Sequence, residues 1–454
     1  HVLQVIFYNS MHGDGLGLNA WYTYSNRELP MLTTDYGNER EFENRQREHT
    51  LRTLLSWEHM RSDWKTAIRS GYIHTAMDYD YRREVSQDIW ASMTRSRSKV
   101  NTVYAMAEGE YNLHRKWFFT ANLSVHQHFV NSYDRSVTLQ DGGGAIVGYD
   151  KSRTELSGAA SAKWQPSDRI GMSLVLREDM FGNRCTPIIP AFFVDGVLSR
   201  KGNVMLKASV SRNYRFPSLN DLYFQPGGNP GLRSEHGFSY DAGMSFDTGI
   251  EGLLHIDGSA TWFDSYISDW IIWLPTTKGF FSPRNMKKVH AYGAELKTGV
   301  SVIPAKDWLV DFNGSYSWTP SVNRSDPMSP ADRSVGRQLP YVPKHSASFT
   351  ARLSWRTWGL LYKWCYYSQR YTMSSNEYTI TGYLPQYFMN NVSVEKALSS
   401  SLADLHLKLA VNNLFNEEYL SVLSRPMPGI NFEIFVGITP KFSKRNTPSP
   451  IVNL

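Results

Sequence analysis

Residues 213–232 read NYRFPSLNDLYFQPGGNPGL and carry the densest pattern in this chain of 454 residues. An Arg-Phe-Pro turn comes first, an aromatic-rich segment follows, and a Gly-Gly-Asn-Pro turn closes the stretch. Apolar and polar residues alternate on both sides of it, which is the pattern of β-strands. The stretch therefore predicts a connection between two strands, with turns built by proline and glycine.

The composition points to a membrane protein made of strands. No run of residues approaches the ~18 to 20 apolar residues that a membrane helix needs, whereas aromatic residues make up 14% of the chain. In a transmembrane barrel, lipid-facing residues alternate with polar lumen residues, and aromatic girdles mark both interfaces. The net charge of +6 is scattered without a recognisable nucleic-acid module, so no nucleic-acid partner is predicted. Cys185 and Cys365 lie far apart and lack metal-ligand spacing.

Strict period-two alternation recurs along the chain. It is clearest at 308–318, 349–355 and 405–412, where apolar and often aromatic residues alternate with Asp, Asn, Ser, Thr, Lys or Arg. Soluble β-sandwiches alternate in the same way, so alternation alone does not distinguish a membrane barrel from a soluble fold.

The connections distinguish the two classes. Short polar turns are predicted near 60–63, 110–115, 165–168, 200–203, 247–251, 304–307, 356–358 and 399–403. Long loops are predicted at 25–45, 77–99, 127–153, 179–195, 217–235, 268–288, 320–344, 368–386 and 416–429. Short turns on one side and long loops on the other are the arrangement of outer-membrane barrels, and this pattern implies about 18 strands.

The opening stretch resembles a signature of the TonB-dependent outer-membrane transporters, in which aromatic-Arg-x-Pro-Ser/Thr-Leu-Asn-Asp/Glu-Leu-Tyr precedes Gly-Asn-Pro-x-Leu. The matching residues are Tyr214, Arg215, Pro217, Leu219, Asn220, Leu222, Tyr223, Gly228, Asn229 and Pro230. Similar pieces occur at 21–31, 284–295, 336–345, 411–419 and 425–429. The resemblance implies an all-β fold, a transmembrane antiparallel β-barrel of the 22-stranded type with a plugged lumen.

No plug is recognisable in this sequence. The resemblance then implies that residues 1–442 are the C-terminal part of the barrel and that 443–454 are a tail. Phe442 ends the last predicted strand and resembles the terminal aromatic residue that the barrel-assembly machinery reads. A plugless, passive outer-membrane porin is the alternative from another class.

The resemblance also implies a function, namely active import of a bulky, scarce nutrient across the bacterial outer membrane. No Gly-x-Ser-x-Gly or His-Glu-x-x-His motif localises an enzyme site, so no enzyme is predicted. The implied partners are the TonB-ExbB-ExbD energy-coupling complex, a surface lipoprotein that caps the transporter, and lipopolysaccharide.

The sequence NDLYFQPGGNP bears on the ligand, because it resembles the cobalamin (vitamin B12) transporters of Bacteroidetes more than siderophore receptors. A ferric siderophore and haem are the alternatives. Haem receptors of the family place a histidine between the two halves of the signature, whereas residues 218–229 contain none. The resemblance therefore favours cobalamin as the transported ligand.

No tightly bound cofactor or metal is predicted. His126 and His128 share one face of a strand, but a pair without a third ligand is more often part of a polar lumen than a metal site. Loop carboxylates make a calcium site conceivable, although acidic loops are usually just hydrated. The carboxylates considered are Asp78, Asp80 and Asp134.

Ligand contact is predicted for the aromatic loop residues, because rigid rings bury a large area at low entropy cost. The predicted contacts are Tyr223, Phe224, Trp270 and Trp273, with Arg215, Gln225 and Asn229 as polar partners. The two tryptophans also fit an interfacial girdle, and Arg215 also fits a role in pinning the loop.

Overall fold

The computed structural model describes residues 1–11, 13–29, 42–114, 116–138, 146–275, 281–327 and 329–441. In chain order the elements are β1 (Val2–Asn9), β2 (Asp14–Glu28), β3 (Phe42–Met60), β4 (Trp64–Ser86), β5 (Ile89–Leu113), β6 (Trp117–Thr138), β7 (Ile146–Ser167), β8 (Ile170–Phe181), β9 (Arg184–Cys185), β10 (Ile189–Ser199), β11 (Val204–Arg215), α1 (Leu219–Tyr223), β12 (Glu235–Ile250), β13 (Leu254–Pro275), β14 (Phe281–Val302), β15 (Trp308–Trp318), β16 (Ser321–Asn323), β17 (His345–Trp355), β18 (Trp358–Tyr367), β19 (Arg370–Tyr371), β20 (Tyr383–Leu384), β21 (Tyr387–Ser399), β22 (Ala403–Asn412), β23 (Leu420–Val422), β24 (Arg425–Pro426) and β25 (Asn431–Pro440). No helix within these ranges is long and apolar enough to cross a membrane.

One antiparallel sheet of 21 strands forms the wall, and its long strands pair with their neighbours in chain order. Two members, β9 and β16, are extensions of 2 and 3 residues, which leaves 19 long wall strands in the described part of the chain. The all-β barrel prediction is confirmed. The strand count exceeds the expected number by one, because a short turn joins β1 to β2 ahead of the first predicted long loop.

The two end strands keep unpaired edges. Within the described residues, β1 pairs only with β2, and β25 pairs only with β22. The resemblance also implies further strands that close the wall and a plug that fills it, and both stay predictions. Phe442 and the tail 443–454 lie outside the described residues.

The short turns agree with the sequence, whereas four of the predicted long loops are wrong. Most of 77–99, 127–153 and 268–288 is strand, in the hairpins β4–β5, β6–β7 and β13–β14, and most of 179–195 lies in β8, β9 and β10. Cross-strand ion pairs help to hold the β4–β5 hairpin: Asp78 binds Arg97, and Asp80 lies 3.6 Å from Arg95. Such pairs support strands that continue beyond the apolar band, where the ladder still satisfies the backbone groups.

Aromatic residues mark both edges of the apolar band. At the short-turn end, the rings of Trp308 and Trp355 stack at 5.6 Å, and at the loop end Tyr316 hydrogen-bonds to His345 at 2.8 Å. Trp308 and Tyr316 share one face of β15, and the strand between them spans about 26 Å. This span matches the apolar band of outer-membrane barrels, about 25 Å tall. Further members at the turn end are Trp57, Trp117, Trp164 and Trp358, and at the loop end Tyr22, His49, Tyr266 and His290.

Candidate functional site: the loop platform

Residues 216–234, between β11 and β12, fold into a compact structure that we name the loop platform. The platform starts with a capping box at α1: the hydroxyl of Ser218 accepts a hydrogen bond from the Asp221 amide at 3.1 Å. In return, the carboxylate of Asp221 accepts from the Ser218 amide at 2.9 Å. The spacing Ser-Leu-Asn-Asp therefore sets the helix start locally, since both partners lie within one turn.

A tryptophan of β13 ties α1 to the wall. The indole Nε1 of Trp273 donates to Oδ1 of Asp221 at 2.9 Å, so both carboxylate oxygens of this buried residue are engaged. The ring of Trp273 also meets Phe224 edge-on, with ring centres 5.8 Å apart. Trp273 therefore positions both the start of α1 and the aromatic residue that follows it.

The opposite side of the platform rests on β7. The hydroxyl of Tyr149 donates to the Asn220 side chain, and Arg153 donates from Nη1 to the carbonyl oxygen of Pro217 at 2.8 Å. Lys151 places its Nζ 5.1 Å from the ring centre of Tyr223, as a cation–π contact. A small buried cluster lies underneath, made of Val130, Tyr149 and Leu219, with Tyr223 packed against it.

A bidentate ion pair closes the base of the platform. Arg215 donates to Glu235 at 2.8 and 2.7 Å, and Oε1 of Glu235 also accepts from the Ile271 amide at 2.8 Å. The carboxylate side chain is only 9% exposed, whereas the guanidinium side chain is 55% exposed. Bidentate geometry of this kind fixes orientation as well as contributing energy.

The far end of the platform is attached to β13 and β14. Asn229 donates to the carbonyl oxygen of Pro283 at 3.2 Å, and the Arg233 amide donates to the Asn285 side chain at 2.9 Å. Arg233 also pairs with Asp269, and this hydrogen bond raises the pKa of its guanidinium above the ordinary value. The platform is thus anchored at its start, its middle and its end.

Replacing Gly228 with alanine will disorder the platform, because an added Cβ would lie 2.6 Å from both the amide nitrogen and the carbonyl oxygen of Phe224. We expect a local loss of more than about 1 kcal/mol, since backbone atoms cannot move aside. Faster proteolytic cleavage within 216–234 would show it. Gly109→Ala is the control, as nothing lies within 4 Å of its added Cβ; equal cleavage of both variants would contradict the prediction.

Two cavities flank the platform segment that contains Tyr223. The larger, about 540 Å³, is lined by residues that include Tyr149, Lys151, Phe224 and Gln225. The smaller, about 370 Å³, is lined by residues that include Arg153, Phe181, Phe216 and Arg184. Both volumes fall within the range of ligand sites, about 300–1,000 Å³, and both combine aromatic rings with cations.

The structure brings some of the predicted ligand contacts to these cavities and places others elsewhere. Tyr223 lines both cavities, and Phe224 and Gln225 line the larger one. Arg215, Asn229, Trp270 and Trp273 line neither; three of them make the contacts that hold the platform, and Trp270 lies on β13. Contact with a ligand stays a prediction for all seven residues.

Sequence reasoning missed the contribution of β7. Tyr149, Lys151 and Arg153 line the cavities or support the platform, yet they precede it by some seventy residues. These three residues alternate with lipid-facing residues of β7, which indicates that they face the lumen. No feature of the neighbouring sequence indicates that they contact the loop platform. His126 and His128 stack at 6.0 Å on the lumen face, and no group of three metal-binding side chains occurs in the described ranges.

A family profile described as "TonB dependent receptor-like, beta-barrel" matches residues 3–414. The chain belongs to this family. Proteins of this family lie in the outer membrane, so the predicted localisation is confirmed. The family is one of receptors rather than enzymes. The short turns of this TonB-dependent receptor therefore face the periplasm, and the loop platform faces the outside.

A curated relative and several solved structures are similar to this receptor. The "Vitamin B12 transporter BtuB" of Photobacterium profundum is 24% identical over 225 residues, which are 48% of this chain and 32% of the relative. The match thus spans about a third of the relative's length. The "Copper transporter OprC" superposes with a TM-score of 0.70 at 13% identity, covering 96% of this chain and 71% of that one. The ferric yersiniabactin uptake receptor FyuA of Yersinia pestis superposes with a TM-score of 0.64 at 15% identity, covering 95% and 69%.

Proposed function

We propose that this chain supplies the wall and the ligand-capturing loops of a TonB-driven importer for a bulky, scarce nutrient. The observation that carries the proposal is the loop platform, in which rings and cations flank two cavities on the outward side of a receptor barrel. A preorganised loop of this kind captures ligand without the entropic cost of ordering it first.

Cobalamin is the proposed ligand. The sequence of residues 220–230 resembles the corresponding segment of cobalamin transporters. The BtuB relative is named a vitamin B12 transporter. A corrinoid presents a broad ring system with polar side arms, which suits cavities lined by Tyr223, Phe224, Gln225 and Lys151. Between β11 and β12 the platform offers no histidine to ligate haem iron.

Iron import is the second candidate within the same class. Solved structures with the same fold include receptors named for ferric siderophores, but at 11–15% identity they support the fold alone. A passive porin is the candidate from another class, and the dense internal bonding of the platform gives no support to a freely open pore.

The remaining partners belong to the same proposal. TonB is coupled to the proton gradient through ExbB and ExbD, the barrel-assembly machinery inserts the wall, lipopolysaccharide surrounds its outer half, and a surface lipoprotein caps the loops. A loop calcium ion is less favoured at Asp78 and Asp80, because arginines already neutralise both carboxylates.

The direct experiment is a binding titration of the full-length protein in detergent with cyanocobalamin, haemin and a ferric catecholate in parallel. We expect saturable, tight binding of cyanocobalamin alone. Binding of the iron complex alone would move the function to iron acquisition, and no binding of any of the three would overturn the proposed ligand classes.

Replacing Phe224 with alanine will weaken cyanocobalamin binding about tenfold, because this exposed ring lines the larger cavity. Its ring contact among the described residues is with Trp273 of β13. Platform order should persist, whereas Tyr223→Ala should also loosen the buried cluster beneath it. The matched control is Phe415→Ala, a 70% exposed phenylalanine in the loop between β22 and β25. Equal affinities of the two phenylalanine variants would remove Phe224 from the site.

A further inference from the structure

An apolar groove lies on the lipid-facing surface of the wall, near the short-turn end. It has a volume of about 680 Å³ and is lined almost wholly by apolar atoms. The floor is made of small residues, Gly196, Ala208 and Ala242, and the walls include Ile170 and Leu206. In the sheet, Gly196 lies between Ile170 and Leu206, so a missing side chain creates the depression.

The groove faces lipid rather than the lumen. Its floor and walls share the strand face that carries exposed Leu174, Phe192, Val210 and Tyr240. Ile170 begins β8 directly after a short turn, which places the groove in the periplasmic leaflet of the membrane. Acyl chains of phospholipids are therefore the surrounding medium.

Basic residues lie on the two short turns beside the groove. The carbonyl oxygen of Arg169 lies 3.8 Å from the Cβ position of residue 196, so the turn that carries Arg169 borders the cavity. Arg200 lies on the adjacent turn, 3.6 Å from the highly exposed carboxylate of Asp168. The two turns carry Arg169, Arg200 and Lys201 against Asp168. Lys201 lines a separate cavity together with Asp247 and Glu251, and the lining of the groove itself includes Asp195 and Lys207. Within the described ranges, no carboxylate pairs with Arg169.

We propose that this groove is a phospholipid site, in which one acyl chain fills the space over Gly196 and the phosphate is bound by Arg169 and Arg200. The apolar lining atoms match the chain, and Arg169 and Arg200 on the adjoining turns match an anionic headgroup. The site is independent of nutrient import, because its residues face away from the loop platform and lie at the other end of the wall.

The test is native mass spectrometry of the full-length protein in detergent, titrated with palmitoyl-oleoyl phosphatidylglycerol. Gly196→Leu fills the groove without a clash, since the nearest atom to its Cβ is 3.8 Å away. Gly158→Leu is the matched control, because Gly158 lies on the lipid face of β7 with an equal clearance of 3.8 Å, outside the groove. Heat-dependent mobility on gels checks the folding of each variant.

We expect one retained phosphatidylglycerol per barrel, at least tenfold weaker retention in Gly196→Leu, about threefold weaker retention in Arg169→Gln, and no change in Gly158→Leu. If Gly196→Leu does not fold, Ala242→Leu fills the same groove and replaces it in the comparison. Equal retention by the Gly196 and Gly158 variants would overturn the site. The phospholipid site would also be overturned if a protein, rather than a lipid, copurifies with the unchanged barrel and is lost in Gly196→Leu.

Discussion

Asp221→Ala will release the loop platform and lower nutrient affinity about a hundredfold. The buried carboxylate accepts hydrogen bonds from the Ser218 amide, the Ser218 hydroxyl and the Trp273 indole. Alanine leaves all three donors without this partner, at a combined local cost of about 2–4 kcal/mol. Because the cavities are bounded by the platform, their geometry is lost with it.

Hydrogen exchange of the platform amides measures this release. The amides of Leu222, Phe224 and Asn229 are hydrogen-bonded within the platform, at 3.1, 3.0 and 2.8 Å, and should lose protection together in Asp221→Ala. Trp273→Phe is the graded control, since it removes a single donor and keeps an aromatic ring. We expect it to lower the local stability of the platform by about 1 kcal/mol. Unchanged protection of these amides in Asp221→Ala would contradict the anchoring role of the carboxylate.

Arg215→Ala will destabilise the folded protein more than Glu235→Gln does, although both variants break the same ion pair. Removing the arginine leaves a buried carboxylate without a counter-charge, which costs about 3 kcal/mol at the low end of the range for buried pairs. Removing the negative charge leaves a half-exposed guanidinium that water can solvate. Glutamine also keeps an acceptor for the Ile271 amide, so Glu235→Gln should cost about 1 kcal/mol.

The double variant decides this asymmetry. Adding Glu235→Gln to Arg215→Ala removes the stranded charge, so the double variant should be more stable than Arg215→Ala alone. The measurement is the free energy of unfolding in urea from lipid vesicles for the three variants and the unchanged protein. Simple additivity of the two single effects would show that the pair is solvated and does not hold the base of the platform.

Local pattern determined the wall strands and their short turns. Apolar residues at every second position specify which face of β15, β17 or β22 meets lipid, since successive side chains point to opposite faces. The start of α1 was also encoded locally, because the Ser218–Asp221 capping box lies within one turn. Four predicted loops proved to be mainly strand; in one of them, the β4–β5 hairpin, cross-strand ion pairs take the place of apolar alternation.

The sequence by itself thus determined the fold class, the family signature and the position of the platform in the chain. Only the tertiary structure decided which side chains build the platform: Trp273 reaches Asp221 across 52 positions, and Tyr149 reaches Asn220 across 71. It also revealed the lipid-facing groove, where Gly196 meets Ile170 and Leu206 of two other strands. The physical reason is that turn chemistry and alternation are properties of neighbouring residues. Contacts between distant residues depend instead on the register between strands and on the length of each hairpin.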